Sequence, residues 1–173
     1  MTQAKSHMFM INNTYYLLRQ LRPKSSKSQA AKDESEHYSI EGTWFENDVR
    51  KIYDAERKKY LDLWDPLNQF SVMLDEKGSS LSYEACRTLK TRFTGFNEEF
   101  EKLHSLHMGL SVADASLCRN LQSEVKGVFF PAYQRFYEKY SAMRFSKKKQ
   151  EEYLKFPPDK VEEMIGRLFN SKK

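Results

Sequence analysis

The sequence predicts an all-α fold, an up-and-down helical bundle, on two observations. Only four Ile and six Val occur in the 173 residues, although β-branched residues are typical of strands. The apolar residues instead recur at intervals of three and four, which is the spacing of one helix face. A chain of this length with 39% hydrophobic residues can bury a core of its own, so residues 1–173 are expected to form one domain.

The first two predicted helices are separated by a polar segment. The first carries its apolar stripe over residues 8–21. Residues 22–42 are predicted to be a flexible basic loop, because they begin with a run rich in Ser, Lys and Gln. The second helix is predicted over residues 43–74 and opens with a capping box at Thr43. Pro66 interrupts its stripe without changing the phase, which predicts a kink.

The remaining helices follow a turn that contains Gly78. The third is predicted over residues 81–106 and the fourth over residues 111–143, where Pro131 indicates a bend. The apolar pattern then lapses, so residues 144–158 are predicted to be a basic loop. A last short helix after the Pro157–Pro158 pair has apolar residues at 161, 164, 165, 168 and 169.

The net charge of +5 belongs to the C-terminal quarter of the chain. Residues 1–131 contain 18 basic and 18 acidic residues, whereas residues 132–173 contain 11 basic and 6 acidic residues. Each cation close to an anionic leaflet contributes about 1 kcal/mol, so several together can hold a protein on a membrane. The candidate lipid contacts, called the basic tract below, are Lys139, Arg144, Lys147, Lys148, Lys149 and Lys155. Two alternatives stay open: a solvated charged face, and a nucleic-acid contact helped by the interleaved aromatic residues.

No pattern typical of an enzyme is present, so we expect no catalysis and no cofactor. The sequence has no phosphate-binding glycine loop, nucleophile elbow, HExxH or CxxC. His104 and His107 lie three apart, but a metal site needs a third ligand, and they are interpreted as helix-end histidines on a solvated edge. Cys86 and Cys118 are interpreted as reduced packing residues. No segment approaches the roughly eighteen apolar residues of a spanning helix, and no signal peptide is expected.

Four segments of the sequence are similar to a known family. They are MINNTYY at residues 10–16, RFTGFNEEFE at 92–101, PAYQRFYEKY at 131–140 and YLKF at 153–156, the last followed by a Pro-led helix ending in Arg167, Leu168 and Phe169. Together they resemble the C-terminal region of the exocyst component 7 family, the seventy-kilodalton Exo subunit of the exocyst. The resemblance implies the C-terminal part of a longer helical rod.

The resemblance also implies a function without catalysis. Family members help to dock secretory vesicles at the plasma membrane, and their C-terminal basic surface binds phosphatidylinositol 4,5-bisphosphate. The implied partners are other exocyst subunits, a Rho-type GTPase and the anionic phosphoinositide surface, with no nucleic acid, and the implied location is cytoplasmic, at the inner face of the plasma membrane. Lys155 matches the lysine of the family's tyrosine-aliphatic-lysine-aromatic motif.

One position departs from the family pattern. The family usually has a lysine immediately before the tyrosine of that motif, and here the residue is Glu152. The run Lys147 to Lys149 could compensate electrostatically. A helical scaffold that binds protein partners without direct lipid contact therefore stays open as the alternative function.

Overall fold

The structure, a computed structural model, describes residues 2–21, 36–75 and 81–169, with the side chains of 36–43 outside that description. Its helices are α1 (Gln3–Leu21), α2 (Glu36–Asp62), α3 (Tyr83–Met108), α4 (Ala115–Ser141), α5 (Gln150–Tyr153) and α6 (Pro158–Gly166), with a 3-10 helix at Asp65–Ser71. No strand occurs in the described ranges, so the all-α prediction is confirmed. The chain was expected to form one domain, but its backbone contacts divide it into two compact units, residues 1–60 and 61–173.

In the first unit, α1 and α2 pack through one face of each helix. Ala4, Met8, Ile11 and Leu18 are buried on α1, which is the predicted apolar stripe. The rings of Tyr15 and Tyr53 lie 6.0 Å apart, and His7 Nδ1 lies 2.7 Å from Glu56 Oε2. A polar contact therefore accompanies the apolar one along the same pair of helices.

The predicted start of the second helix is wrong. α2 begins at Glu36, so residues 36–42 of the predicted loop are helical and Thr43 lies inside the helix. Residues 36–42 contain no proline and one glycine, so nothing stops the helix before the supposed cap. Residues 22–35 of the predicted loop lie outside the described residues.

The kink predicted at Pro66 is a break. α2 ends at Asp62, and the 3-10 helix begins with Trp64 as its N-cap and Pro66 in its first turn. Proline has no amide hydrogen, and its ring clashes with the carbonyl four residues earlier, which is the carbonyl of Asp62. The α-helix therefore ends at that residue and the chain resumes in a geometry whose first turn accepts proline.

In the second unit, α3 and α4 run antiparallel around an aromatic core. The ring pairs between them, with centroid distances, are Phe93 with Phe136 at 5.1 Å, Phe96 with Tyr133 at 3.6 Å and Phe100 with Phe129 at 6.0 Å. Residue numbers rise along α3 as they fall along α4, which requires opposite directions. Both helices have side-chain N-caps, Ser82 on α3 and Asp114 on α4. α4 continues through Pro131 as one helix.

The loop predicted over residues 144–158 contains one helical turn, α5, so that prediction is wrong in part. Gln150 is the physical reason. Its side-chain amide donates to the carbonyls of Met143 and Ser141, and its Oε1 accepts from the amide of Ser146. These bonds fold the chain back on itself and start α5 directly after the turn.

The described helices were also compared with the length and apolarity that a membrane span requires. None of them meets both requirements.

Candidate anion-binding groove

Half of the basic tract lines one open groove in the second unit. The groove has a volume of about 1090 Å³ and lies between the first half of α3 and the turn that follows α4. Arg144, Lys147 and Lys148 line it from the turn, and Arg87 and Lys90 line it from α3. It is called the α3 groove below. Its other lining residues are Leu81, Tyr83, Cys86, Phe145, Ser146 and Tyr153, so no carboxylate is among the described residues that line it.

The floor of the α3 groove belongs to the hydrophobic core. Phe145 is buried and stacks on Phe93 with ring centroids 5.3 Å apart. Tyr153 packs edge-on against Phe145 at 5.9 Å, and Lys90 Nζ lies 6.0 Å from the Tyr153 ring centroid. The cations of the groove are therefore anchored beside packed aromatic rings.

The turn that presents the lysines is held by its own polar groups. Ser146 Oγ donates to the carbonyl of Lys148 at 2.7 Å. Lys149 then adopts the left-handed conformation, with φ 58°, and serves as the N-cap of α5. The chain reverses at this point, so Lys147 and Lys148 face the groove while Lys149 leaves it.

The other half of the basic tract lies elsewhere, and two of its members are paired with carboxylates. Lys149 Nζ lies 2.8 Å from Glu152, which raises the pKa of Lys149 through a hydrogen bond and charge attraction. Lys155 Nζ lies 2.7 Å from Glu101 of α3. Lys139 extends over the Tyr140 ring, 5.1 Å from its centroid. The six residues thus do not form one surface.

The expected solvated edge at the end of α3 is wrong for one of its two histidines. His107 is 1% exposed and packs edge-on against Trp64, with centroids 4.7 Å apart. Burial, and then the charge of His104, lower the pKa of His107 to about 4. His104 is half-buried, and its Nε2 lies 3.2 Å from the carbonyl of Met164. Trp64 covers His107 because the helix break at Pro66 places the indole there.

The described residues contain no group of three potential metal ligands. Cys86 and Cys118 are both free thiols, as predicted. Cys118 is buried and its burial raises the pKa of the thiol, so it behaves as a packing residue. Cys86 is half-buried in the wall of the α3 groove.

Sequence reasoning missed the two cations that α3 contributes. Arg87 and Lys90 lie more than 50 positions before the turn, in a region with balanced charge. A signal was present, because Tyr83, Cys86 and Lys90 repeat at the three-four spacing of one helix face. That face adjoins the buried stripe of α3, so groove-lining residues are expected there.

Comparison with known proteins gives one consistent result. Residues 1–167 match the family described as the C-terminal part of Exo70, a subunit of the exocyst complex. The chain is 27% identical to exocyst complex component EXO70A3 of Arabidopsis thaliana over 98% of its own length, and 28% identical to exocyst complex component 7 of Drosophila melanogaster over 97%. It spans only 28% and 24% of those relatives.

A solved structure of Saccharomyces cerevisiae Exo70 shares the fold. The match has a TM-score of 0.57 at 20% identity and covers 93% of this chain and 34% of the yeast chain. The expected likeness to one part of a longer helical protein is thereby confirmed at the level of the fold.

Proposed function

The chain belongs to the Exo70 family of the exocyst complex, and from that premise we propose that it is a tethering module for secretory vesicles. In this proposal it helps to dock vesicles at the plasma membrane during exocytosis. Its basic surface binds phosphatidylinositol 4,5-bisphosphate at the inner face of that membrane. The family match over residues 1–167 is the observation that carries the tethering role.

The lipid contact is supported by the charge of the second unit. Arg144, Lys147 and Lys148 are exposed, and none lies within ion-pair distance of a carboxylate among the described residues. At about 1 kcal/mol each, three such cations contribute roughly 3 kcal/mol of attraction to an anionic leaflet. Lys149 and Lys155 contribute less, because Glu152 and Glu101 accompany them to the membrane.

The proposed protein partners are other exocyst subunits and a Rho-type GTPase. The first unit carries large apolar side chains in contact with solvent, among them Trp44, which is 72% exposed, and Phe45 and Ile52. Exposed aromatic residues are typical of surfaces that bind other proteins. This surface is therefore the natural place to test for binding to another exocyst protein.

Cosedimentation with liposomes tests the lipid contact. The full chain is mixed with vesicles of neutral lipid, with or without phosphatidylinositol 4,5-bisphosphate, at low and high salt. We expect binding that needs the phosphoinositide and weakens with salt, because exposed charges are screened within about 8 Å at physiological ionic strength. The variant with Lys147, Lys148, Lys149 and Lys155 changed to Ala should stay in the supernatant.

A matched variant controls for the lost charge. Lys5, Lys51, Lys58 and Lys102 are exposed and lie outside the basic tract, so changing these four to Ala removes the same net charge. This control should still bind. Equal binding by wild type and the basic-tract variant, or binding indifferent to salt and lipid charge, would contradict the lipid contact.

A helical scaffold without lipid binding is the second candidate, and two contacts favour it. The ion pairs Lys149–Glu152 and Lys155–Glu101 neutralise part of the basic tract. If the chain captures exocyst subunits from a mixture but ignores phosphoinositide vesicles, the scaffold function stands and the lipid contact does not.

A further inference from the structure

We infer that the α3 groove is a specific site for a headgroup that carries two or more phosphates, and that Arg87 and Lys90 are ligand-binding residues. This rests on the proposed function only for the source of the ligand, which there is a membrane lipid. The chemistry recognised is a cyclic polyol with several phosphates, so a free inositol polyphosphate shares it. The inference assigns one pocket and two residues outside the basic tract.

The charge of the groove is the first reason. Five cations from two segments far apart in the sequence line one concavity, and no carboxylate of the described residues lines it with them. Like charges brought together repel, which costs free energy unless an anion joins them.

Other cations in the described part of the chain are arranged differently. Many of them lie beside a carboxylate, and these pairs are Arg50–Glu46, Lys51–Asp48, Lys59–Glu56, Lys102–Glu99, Lys126–Glu162 and Arg167–Glu163. A groove that collects five cations without such a partner departs from that pattern. It is therefore suited to an anion supplied from outside.

The size and composition of the groove select the ligand. A volume of about 1090 Å³ exceeds what a single phosphate fills and falls near the upper end of the usual range for small-molecule sites. Arg87 and Arg144 can each bind one phosphate through two parallel hydrogen bonds, while the lysines act as point charges. Cations on both walls fit a ligand with phosphates on opposite sides of a ring.

The groove is also prepared for binding. One wall is helix α3, the floor is the Phe145–Tyr153 aromatic pair, and the turn is held by the Ser146 hydroxyl. Ordering these groups on binding therefore costs little. Tyr83 lines the groove and is 83% exposed, and tyrosine favours the interface between lipid and water. A lipid-borne headgroup would bring the bilayer surface to this residue.

Calorimetric titration with inositol 1,4,5-trisphosphate tests the site. We compare wild type with the R87Q/K90Q variant and with the control K51Q/K58Q, whose lysines are exposed on α2 and carry the same charge. The groove variant should bind about thirtyfold more weakly, since it loses two cation–phosphate contacts. The control should stay within about twofold of wild type. Circular dichroism verifies that both variants are folded, and K147Q/K148Q provides a second groove variant from the opposite wall.

The outcomes separate this inference from the proposed function. If R87Q/K90Q and K147Q/K148Q bind the trisphosphate like the control, or if wild type does not bind it, the specific groove is refuted, whatever happens with vesicles. If inorganic phosphate at equal total phosphate displaces the trisphosphate equally well, the requirement for several phosphates on one ligand is refuted. If the trisphosphate binds in the groove but phosphoinositide vesicles do not bind, the groove stands with a soluble ligand and the membrane contact fails.

Discussion

A methyl group added at Gly95 should destabilise the second unit, although alanine is the better helix former. A Cβ built at Gly95 would lie 2.3 Å from Cε1 and 2.8 Å from Cδ1 of Phe70, where ordinary contacts are 3.4–4 Å. The Phe70 ring, on the 3-10 helix, would have to move by about 1 Å. Such overpacking costs about 1–3 kcal/mol, whereas Gly→Ala in a helix interior gains about 0.5–1 kcal/mol. The net expectation for Gly95→Ala is a loss of about 1–2 kcal/mol.

Gly127 provides the matched control on α4. A Cβ built there has nothing within 4 Å, so Gly127→Ala should gain about 0.5–1 kcal/mol. Urea unfolding followed by circular dichroism at 222 nm, in the standard far-ultraviolet band, measures both changes; for a chain of this size each kcal/mol corresponds to about 2–4 °C in Tm. In a Phe70→Ala background the obstacle is gone, and Gly95→Ala should then stabilise like the control. A Gly95→Ala variant as stable as Gly127→Ala in the wild-type background would refute the close packing of Phe70 on α3.

Three further changes have definite expected results. Tyr133→Phe removes a buried bond of 2.5 Å from the hydroxyl to the carbonyl of Phe156 and should cost about 1–2 kcal/mol in urea unfolding; an unchanged midpoint would contradict it. Glu152→Lys frees Lys149 and swings the charge by two, so sedimentation with phosphoinositide vesicles should tighten by roughly thirtyfold, and no change would contradict an electrostatic contact. His107 stays neutral when folded, so its contribution is full above pH 6.5 and is lost as the pH falls toward 4, by up to about 3 kcal/mol. His107→Phe should flatten that decline in urea unfolding between pH 7 and pH 5, and equal slopes would contradict it.

Sequence periodicity predicted the long helices well, because a stripe of large apolar residues has one plausible partner, the core. α3 was expected over 81–106 and lies at Tyr83–Met108; α4 was expected over 111–143 and lies at Ala115–Ser141. Local signals were less reliable. A hydroxyl three residues before a glutamate also occurs inside helices, which is the case at Thr43. Pro66 preserves the phase of the stripe, so periodicity could not distinguish a kink from a break.

The candidate site could be predicted only in part, because a groove is formed by residues distant in sequence. The basic turn at Lys147 and Lys148 was identified from composition. Arg87 and Lys90 were not, because their role depends on where α3 packs, and their own region has no excess charge. The ion pair between Lys155 and Glu101 was hidden for the same reason, since it joins residues 54 apart.

Two double variants separate a shaped site from a diffuse positive surface. K147A/K148A and K149A/K155A remove the same net charge, and all four lysines are exposed within nine residues of one another. A diffuse field acts over about a Debye length of 8 Å and weakens almost equally with either loss. The α3 groove loses two lining cations in the first variant and none in the second. We therefore expect K147A/K148A to weaken vesicle binding by at least tenfold more than K149A/K155A, measured by sedimentation at one salt concentration. Equal losses would assign the attraction to net charge alone, because only the placement of the lysines differs between the two proteins.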